Sequence, residues 1–150
     1  MDKIRILLAV GIGLLLLGIT YFTYSARDKE PLQTFPATID NDCAPWDGTA
    51  FTISVQYDPA TVIYISIWRA PDIRFPSTFP MPDDVEAEQD GYAYILPELG
   101  PFVPLNGEVS LERVEAGKPV EGRFSFTSGR GDHFEGQFIA EWGNEMVLCG

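Results

Sequence analysis

Apolar and polar residues alternate with a period of two along much of the chain after residue 43, which is typical of half-buried β-strands. Residues 51–57 follow this alternation, with every second side chain apolar. Residues 62–68 are apolar on both faces apart from Ser66. We therefore predict a strand with one exposed face, followed by a strand that is buried on both faces, as in a sandwich or barrel.

The segment between these two strands indicates a tight hairpin. Asp58 and Pro59 suit the first two positions of a type I turn, because proline fixes the backbone angle and aspartate bonds the turn backbone. Pairing across such a turn would place Val55 opposite Tyr64. This register is the prediction for the first hairpin.

A second hairpin is specified by a repeated pattern. The tetrapeptide Glu-Gly-x-Phe occurs at residues 121–124 and again at 135–138, on either side of a glycine-rich turn at 128–132. In the register that places Gly122 opposite Phe138, each glycine faces a phenylalanine, so that an aromatic ring covers each strand glycine. We predict that all these residues share one face of the sheet.

The remaining alternation predicts further strands at residues 92–96, 108–114 and 145–149, with a turn at 115–118. About seven strands with frequent turns indicate an all-β fold, either an antiparallel β-sandwich or a small barrel. After the N-terminal apolar segment, the sequence contains no apolar stripe of helical period and useful length.

The N-terminal segment is apolar without alternation. No charged residue lies between Ile6 and Ala26, and the segment follows Lys3 and Arg5. As a helix it would reach about 30 Å at about 1.5 Å per residue, which matches the hydrocarbon thickness of a bilayer. We predict one transmembrane helix within residues 1–26 that contacts lipid through residues 6–26. The alternative is a cleaved secretory signal, although the apolar core of such signals is shorter, about 7–15 residues.

The two cysteines indicate the cellular compartment of the rest of the chain. Cys43 and Cys149 lie near the two ends of the predicted β-domain, so a disulfide between them would join its first and last segments. We expect residues 27–42 to form a polar tether and residues 43–150 an extracytoplasmic domain, with the N-terminus in the cytoplasm. The alternative is a pair of buried free thiols.

The amino-acid composition limits the partners and the kinds of catalysis that we expect for this chain. Twenty-two acidic and ten basic residues give a formal net charge of −12, which disfavours nucleic acid as a partner. One histidine and two cysteines are too few for most zinc sites or histidine-dependent catalysis. We therefore predict no catalytic, cofactor-binding or metal-binding residues and expect no enzyme. The acidic segment at residues 83–90 keeps calcium open as an alternative ligand, because hard cations prefer oxygen.

The longest predicted irregular segment is residues 69–90, which contains four prolines. Long loops in compact domains are often functional, and this one carries Phe75, Phe79 and Met81 as a candidate partner-binding loop. The sequence thus favours a membrane-anchored, non-enzymatic protein-interaction module or an accessory subunit of a membrane complex. The alternatives are a glycan- or calcium-binding module and a hydrolase that uses two carboxylates. For glycans, the three tryptophans supply candidate stacking rings: Trp46, Trp68 and Trp142.

Overall fold

A computed structural model of the protein describes residues 31–44, 48–68, 73–83, 90–97, 100–143 and 149. Across these ranges the chain forms eight β-strands and no helix. The strands are β1 (Thr34–Cys43), β2 (Thr49–Asp58), β3 (Thr61–Trp68), β4 (Ser77–Met81), β5 (Gly91–Ile95), β6 (Val103–Leu111), β7 (Val120–Ser128) and β8 (His133–Trp142). They belong to a compact unit that spans Leu32–Gly150.

The described residues contain no helix with the length and hydropathy needed to cross a bilayer. The predicted anchor at residues 6–26 lies outside these residues, so it stays a prediction.

Seven of the strands close into a barrel. The ring runs β6-β5-β3-β2-β1-β8-β7 and returns to β6, and β4 pairs with β6 beside β5. All neighbours are antiparallel except β1 and β8, which are parallel. The all-β prediction is therefore confirmed, and of the two architectures that it left open the structure has the barrel.

The first strand corrects the predicted tether at residues 27–42. Residues 34–43 form β1, which pairs with β2 on one edge and β8 on the other. The apolar side chains of Phe35 and Ile39 point into the barrel and are 4% and 0% exposed. A proline and a threonine separate the inward positions and two aspartates follow them, so that the outer face gives this segment the local pattern of a polar linker. The compact domain therefore begins near residue 32 rather than at residue 43.

The two predicted hairpins have different outcomes. The register of β7 and β8 is confirmed, because Gly122 faces Phe138 and Phe124 faces Gly136. The register of β2 and β3 is wrong by one residue, because Val55 faces Ile63. An irregularity between residues 56 and 58 of β2 shifts the pairing. This bulge places the isoleucines of β3 and the apolar residues of β2 on the same inner face.

Side chains from every strand fill the interior of the barrel. The fully buried ones include Phe51, Phe126, Phe138, Ile39, Ile53, Ile63, Ile65, Ile67, Met81, Leu105 and Leu111. Strand β6 needs a glycine at the point where its pairing changes from β5 to β4. Gly107 has φ +155°, and a Cβ there would lie 2.0 Å from the carbonyl oxygen of Ser125, so no other residue fits without a backbone shift.

The predicted disulfide is confirmed. Cys43 at the end of β1 is bonded to Cys149, with the two Cα atoms 5.6 Å apart. The cross-link joins segments that are 106 residues apart in sequence. It therefore fastens the polypeptide that follows β8 to the end of β1.

Candidate functional site

The predicted partner-binding loop has a different structure from the one expected. Residues 77–81 form β4 rather than irregular chain, and their alternation sends Phe79 and Met81 inward. These two side chains are 3% and 0% exposed, and Phe75 is partly buried against the same core. The apolar groups of this segment therefore belong to the barrel core and do not provide the exposed surface that the prediction required.

A different apolar surface lies on the outside of β3 and β5. Five aromatic side chains form a continuous row there: Trp68, Tyr92, Tyr94, Tyr64 and Phe102. Ring centroids are 5.1 Å apart for Tyr64 and Tyr94, and 5.5 Å apart for Tyr92 and Tyr94. Trp68 is 5.7 Å from Tyr92, and Phe102 meets Tyr94 edge to face at 6.0 Å. We call these five residues together with Leu96 the aromatic face.

Strand pairing explains how this row forms. Tyr64 is directly opposite Tyr94, and Ser66 is directly opposite Tyr92. Because side chains alternate along a strand, the residues between them face the core and the tyrosines face outward. Gly91 at the start of β5 allows the two strands to approach, since a Cβ there would lie 2.0 Å from the carbonyl oxygen of Ser66.

The tyrosines stack on one another rather than lying flat on the sheet. The planes of Tyr64 and Tyr94 differ by 14°, and those of Tyr92 and Tyr94 by 15°. Burial within this stack raises the pKa of the Tyr94 phenol above its ordinary value, and the neighbouring phenols of Tyr92 and Tyr64 act in the same direction. The ring faces are thus largely occupied, and the row presents ring edges to its surroundings.

One end of the aromatic face is strongly apolar. Leu96 is 54% exposed and Phe102 is 53% exposed, which places both among the large apolar side chains that the barrel leaves uncovered. Leu96 follows β5 directly, and Phe102 precedes β6. Large apolar side chains that are adjacent and exposed are typical of contact surfaces.

Polar and acidic groups lie beyond the Trp68 end, on β1 and β2. On the outer face of β1 and β2, the Thr52 hydroxyl donates a hydrogen bond of 3.0 Å to Asp42 Oδ2 and lies 3.4 Å from Ser66 Oγ. The backbone N–H of Cys43 donates to Asp42 Oδ1 at 2.8 Å. These contacts hold the Asp42 carboxylate in one orientation. Trp68 itself is only 8% exposed, because it is buried in a small apolar cluster with Ala44 and Ala50 on the outside of the barrel.

The barrel also carries a shallow charged groove on the side of β7 and β8. Its volume is about 400 Å³, and it is lined by Thr34, Glu112, Glu121, Arg123, Gln137 and Ile139 among others. Within the described residues, no three acidic, histidine or cysteine side chains are arranged to hold a metal ion. Residues 84–89 of the acidic segment lie outside the described ranges, so the calcium alternative stays untested.

The two tryptophans that the structure describes have separate environments. Trp68 belongs to the aromatic face, whereas the Trp142 indole Nε1 donates to the carbonyl oxygens of Glu115 and Lys118 at 3.0 and 2.9 Å. Trp46 lies outside the described residues. The tryptophans therefore do not supply a shared sugar-stacking surface in the part of the chain that the structure describes.

The aromatic face was not identified from the sequence, although the sequence carries a signal for it. Tyr92 and Tyr94 occupy alternate positions of β5, and Tyr64 and Trp68 occupy positions of one face of β3. The continuous apolar character of β3 predicts burial on both sides instead.

No protein-family model, curated protein or solved structure matches the chain.

Proposed function

We propose that this chain is a membrane-anchored, extracytoplasmic and non-enzymatic module that binds another protein through the aromatic face. The observation that carries the proposal is the row of outward aromatic rings that ends at the exposed side chains of Leu96 and Phe102. Tyrosine, tryptophan and phenylalanine are enriched in protein interfaces because they bring large, rigid contact areas at a small loss of conformational entropy.

The ring geometry favours a protein over a glycan. A sugar stacks on the open face of an aromatic ring, whereas the faces of Tyr64, Tyr92 and Tyr94 are stacked against one another. The edges that remain, with their phenol groups, offer apolar contact and hydrogen bonds to a broad surface. The filled interior of the barrel also favours a ligand that binds outside it.

Two further observations support the location. The uncharged segment at residues 6–26 has the length of a bilayer crossing. The disulfide between Cys43 and Cys149 is typical of domains that mature in an oxidising compartment. Both fit an anchor that holds the barrel on the outer side of a membrane.

The experiment is photocross-linking in intact membranes. The full-length chain carries benzoylphenylalanine in place of Phe102, and a matched chain carries it in place of Ile139. Ile139 is 46% exposed but lies on β8, which is on the other side of the ring from β5. We expect a discrete, light-dependent protein adduct from position 102 and none from position 139.

A second pair of variants tests whether the same surface determines affinity. Leu96→Ser combined with Phe102→Ser should abolish co-purification of the partner that cross-linking identifies, whereas Ile139→Ser should leave this co-purification unchanged. Thermal unfolding should be similar in both, because the substituted side chains are about half exposed. Equal adducts from positions 102 and 139, or a partner that is retained by the double variant, would contradict the proposal.

A further inference from the structure

The exposed apolar side chains of the aromatic face lie at one particular end of the barrel. Strand pairing forms a row across five strands that consists of Ala37, Val55, Ile63, Ile95 and Val103. Neighbouring strands in this row are antiparallel, so the residues before Ala37, after Ile95 and before Val103 all lie on the same side of it. Leu96 and Phe102 are therefore at the end of the barrel where β1 begins. We call this the entry end.

Charge is distributed unevenly between the two ends of the barrel. In the described turns of the entry end, the carboxylate of Asp58 accepts a hydrogen bond of 2.8 Å from Ala60 N–H, and that of Asp132 accepts one of 2.9 Å from the Ser128 hydroxyl. Leu32, two residues before β1, is 37% exposed and adds an apolar side chain there. The exposed carboxylates at the opposite end include Asp42, Asp90, Glu112, Glu121 and Glu141. The entry end is thus apolar, and the opposite end is acidic.

The entry end is also where the chain arrives from the proposed membrane anchor. The uncharged segment ends at Ala26, and β1 begins at Thr34. An extended chain spans at most about 3.6 Å per residue, so residues 27–33 reach no farther than about 25 Å. An anchor at residues 6–26 would therefore keep the start of β1 within about 25 Å of the bilayer.

We infer that the partner is an integral membrane protein, and that its extracytoplasmic part stands beside the barrel and contacts Leu96 and Phe102 at the entry end. This inference rests on the proposed function and adds the class of the partner. Confinement of both proteins to one membrane raises their effective concentration, so a contact of modest area is sufficient. A second copy of this chain fits poorly, because each copy has a formal net charge of −12.

The shape of the aromatic face favours a protein over the lipid bilayer itself. From Leu96 and Phe102 the face continues along the side of the barrel, where Tyr94 and Tyr92 occupy alternate positions of β5. A flat bilayer against the entry end would contact the first two side chains but not the tyrosines farther along the strand. A protein that rises from the bilayer beside the barrel contacts both groups. The acidic end then lies farthest from anionic headgroups, which would repel it.

The first experiment identifies the protein that cross-links to benzoylphenylalanine at position 102 of the full-length chain in intact membranes. The partner in the adduct is identified by mass spectrometry. Membranes that were not illuminated are then extracted with alkaline carbonate, which releases peripheral proteins and leaves integral ones in the pellet. We expect the identified partner in the pellet. A partner that carbonate releases would overturn the inference and leave the proposed function intact, whereas adducts with lipid alone or with a second copy would overturn both.

The second experiment changes the height of the barrel above the membrane. One variant carries four Glu-Ala-Ala-Ala-Lys repeats between Glu30 and Pro31, which as a helix add about 30 Å. The matched control carries a Gly-Ser spacer with the same number of residues, which is flexible enough to let the barrel return to the membrane. Both insertions precede the compact unit that spans Leu32–Gly150, so the urea unfolding midpoints should equal that of the parent.

The adduct yield from position 102 then reports how far from the bilayer the partner is bound. We expect the flexible spacer to give at least about ten times the yield of the helical spacer, because the helical one holds the barrel out of reach. Equal yields from the two variants would overturn the inference. The proposed function would still stand in that case, since position 102 would still contact a protein.

Discussion

Gly122 lies in β7 opposite Phe138, and the phenylalanine ring occupies the space that a side chain at position 122 would need. A Cβ at this position would be 2.4 Å from Phe138 Cζ and 2.8 Å from Leu111 Cδ2. Both neighbours are 1% exposed, so neither can move toward solvent. We predict that Gly122→Ala destabilises the barrel through overpacking.

The expected size follows from two opposing effects. Overpacking of a well-filled core costs about 1–3 kcal/mol. Alanine also has less conformational freedom than glycine in the unfolded chain, which stabilises the folded state by about 0.4–1 kcal/mol. The net loss in the free energy of unfolding is then about 1–2 kcal/mol. Urea unfolding of a domain of this size has a slope of about 1–3 kcal/mol per molar, so the midpoint should fall by about 0.5–1 M.

The assay is urea unfolding of the full-length chain with the disulfide intact, followed by tryptophan fluorescence and circular dichroism. Gly129→Ala is the control, because a Cβ at position 129 would meet no atom within 4 Å and the residue lies in the turn of the same hairpin. Phe138→Leu lacks the two ring atoms closest to position 122. In that background Gly122→Ala should lose most of its effect, with a coupling of about 0.5–3 kcal/mol.

Equal midpoints for Gly122→Ala and Gly129→Ala would refute the packing argument. The same conclusion would follow if the effect of Gly122→Ala were unchanged by Phe138→Leu, because the ring contact would then not be the cause.

Three other predictions address covalent and titratable groups. Cys43→Ser combined with Cys149→Ser removes a cross-link across 106 residues and should lower the free energy of unfolding by about 4–5 kcal/mol, measured by urea unfolding against the oxidised parent. The N–H of Ala60 donates a hydrogen bond to the Asp58 carboxylate and lowers the pKa of Asp58 below the ordinary value of 3.8. The stability that this carboxylate contributes should therefore be complete at neutral pH and be lost as the pH falls below about 4. Asp58→Asn should flatten this acid dependence of the unfolding midpoint. Burial raises the pKa of Tyr94, so spectrophotometric titration should show a phenol that ionises above pH 10 and that is absent in Tyr94→Phe. The associated stability is present below the pKa of tyrosine in the unfolded chain, and it falls as the pH rises through the pKa of Tyr94 in the folded chain.

The parts of the fold that the sequence predicted well depend either on local pairing rules or on a choice among very few residues. The β7–β8 register could be predicted because the turn and the pairing of Gly122 with Phe138 agree, and both lie within one hairpin. The disulfide followed from the positions of two cysteines near the ends of the domain. In both cases few alternatives were compatible with the residues.

The parts that were missed depend on distant partners. Residues 34–43 do not look like a strand until β8 is placed beside them, because the polar outer face and a proline dominate the local pattern. The one-residue error in β2–β3 came from a bulge, which depends on how both strands meet the rest of the core. The aromatic face was overlooked because Tyr64 and Trp68 look alike in a sequence whether they face a second layer or the solvent.

Because β1 pairs with β8, the barrel can close only after the last strand has been synthesised. Thr34 and Gln137, which touch across this contact, are separated by 103 residues. The ring therefore stays open during synthesis until β8 has emerged, with β1 and β7 each lacking a neighbour on one side. A chain that stops before β8 would leave one edge of β1 and one edge of β7 without a partner, and unpaired strand edges promote aggregation.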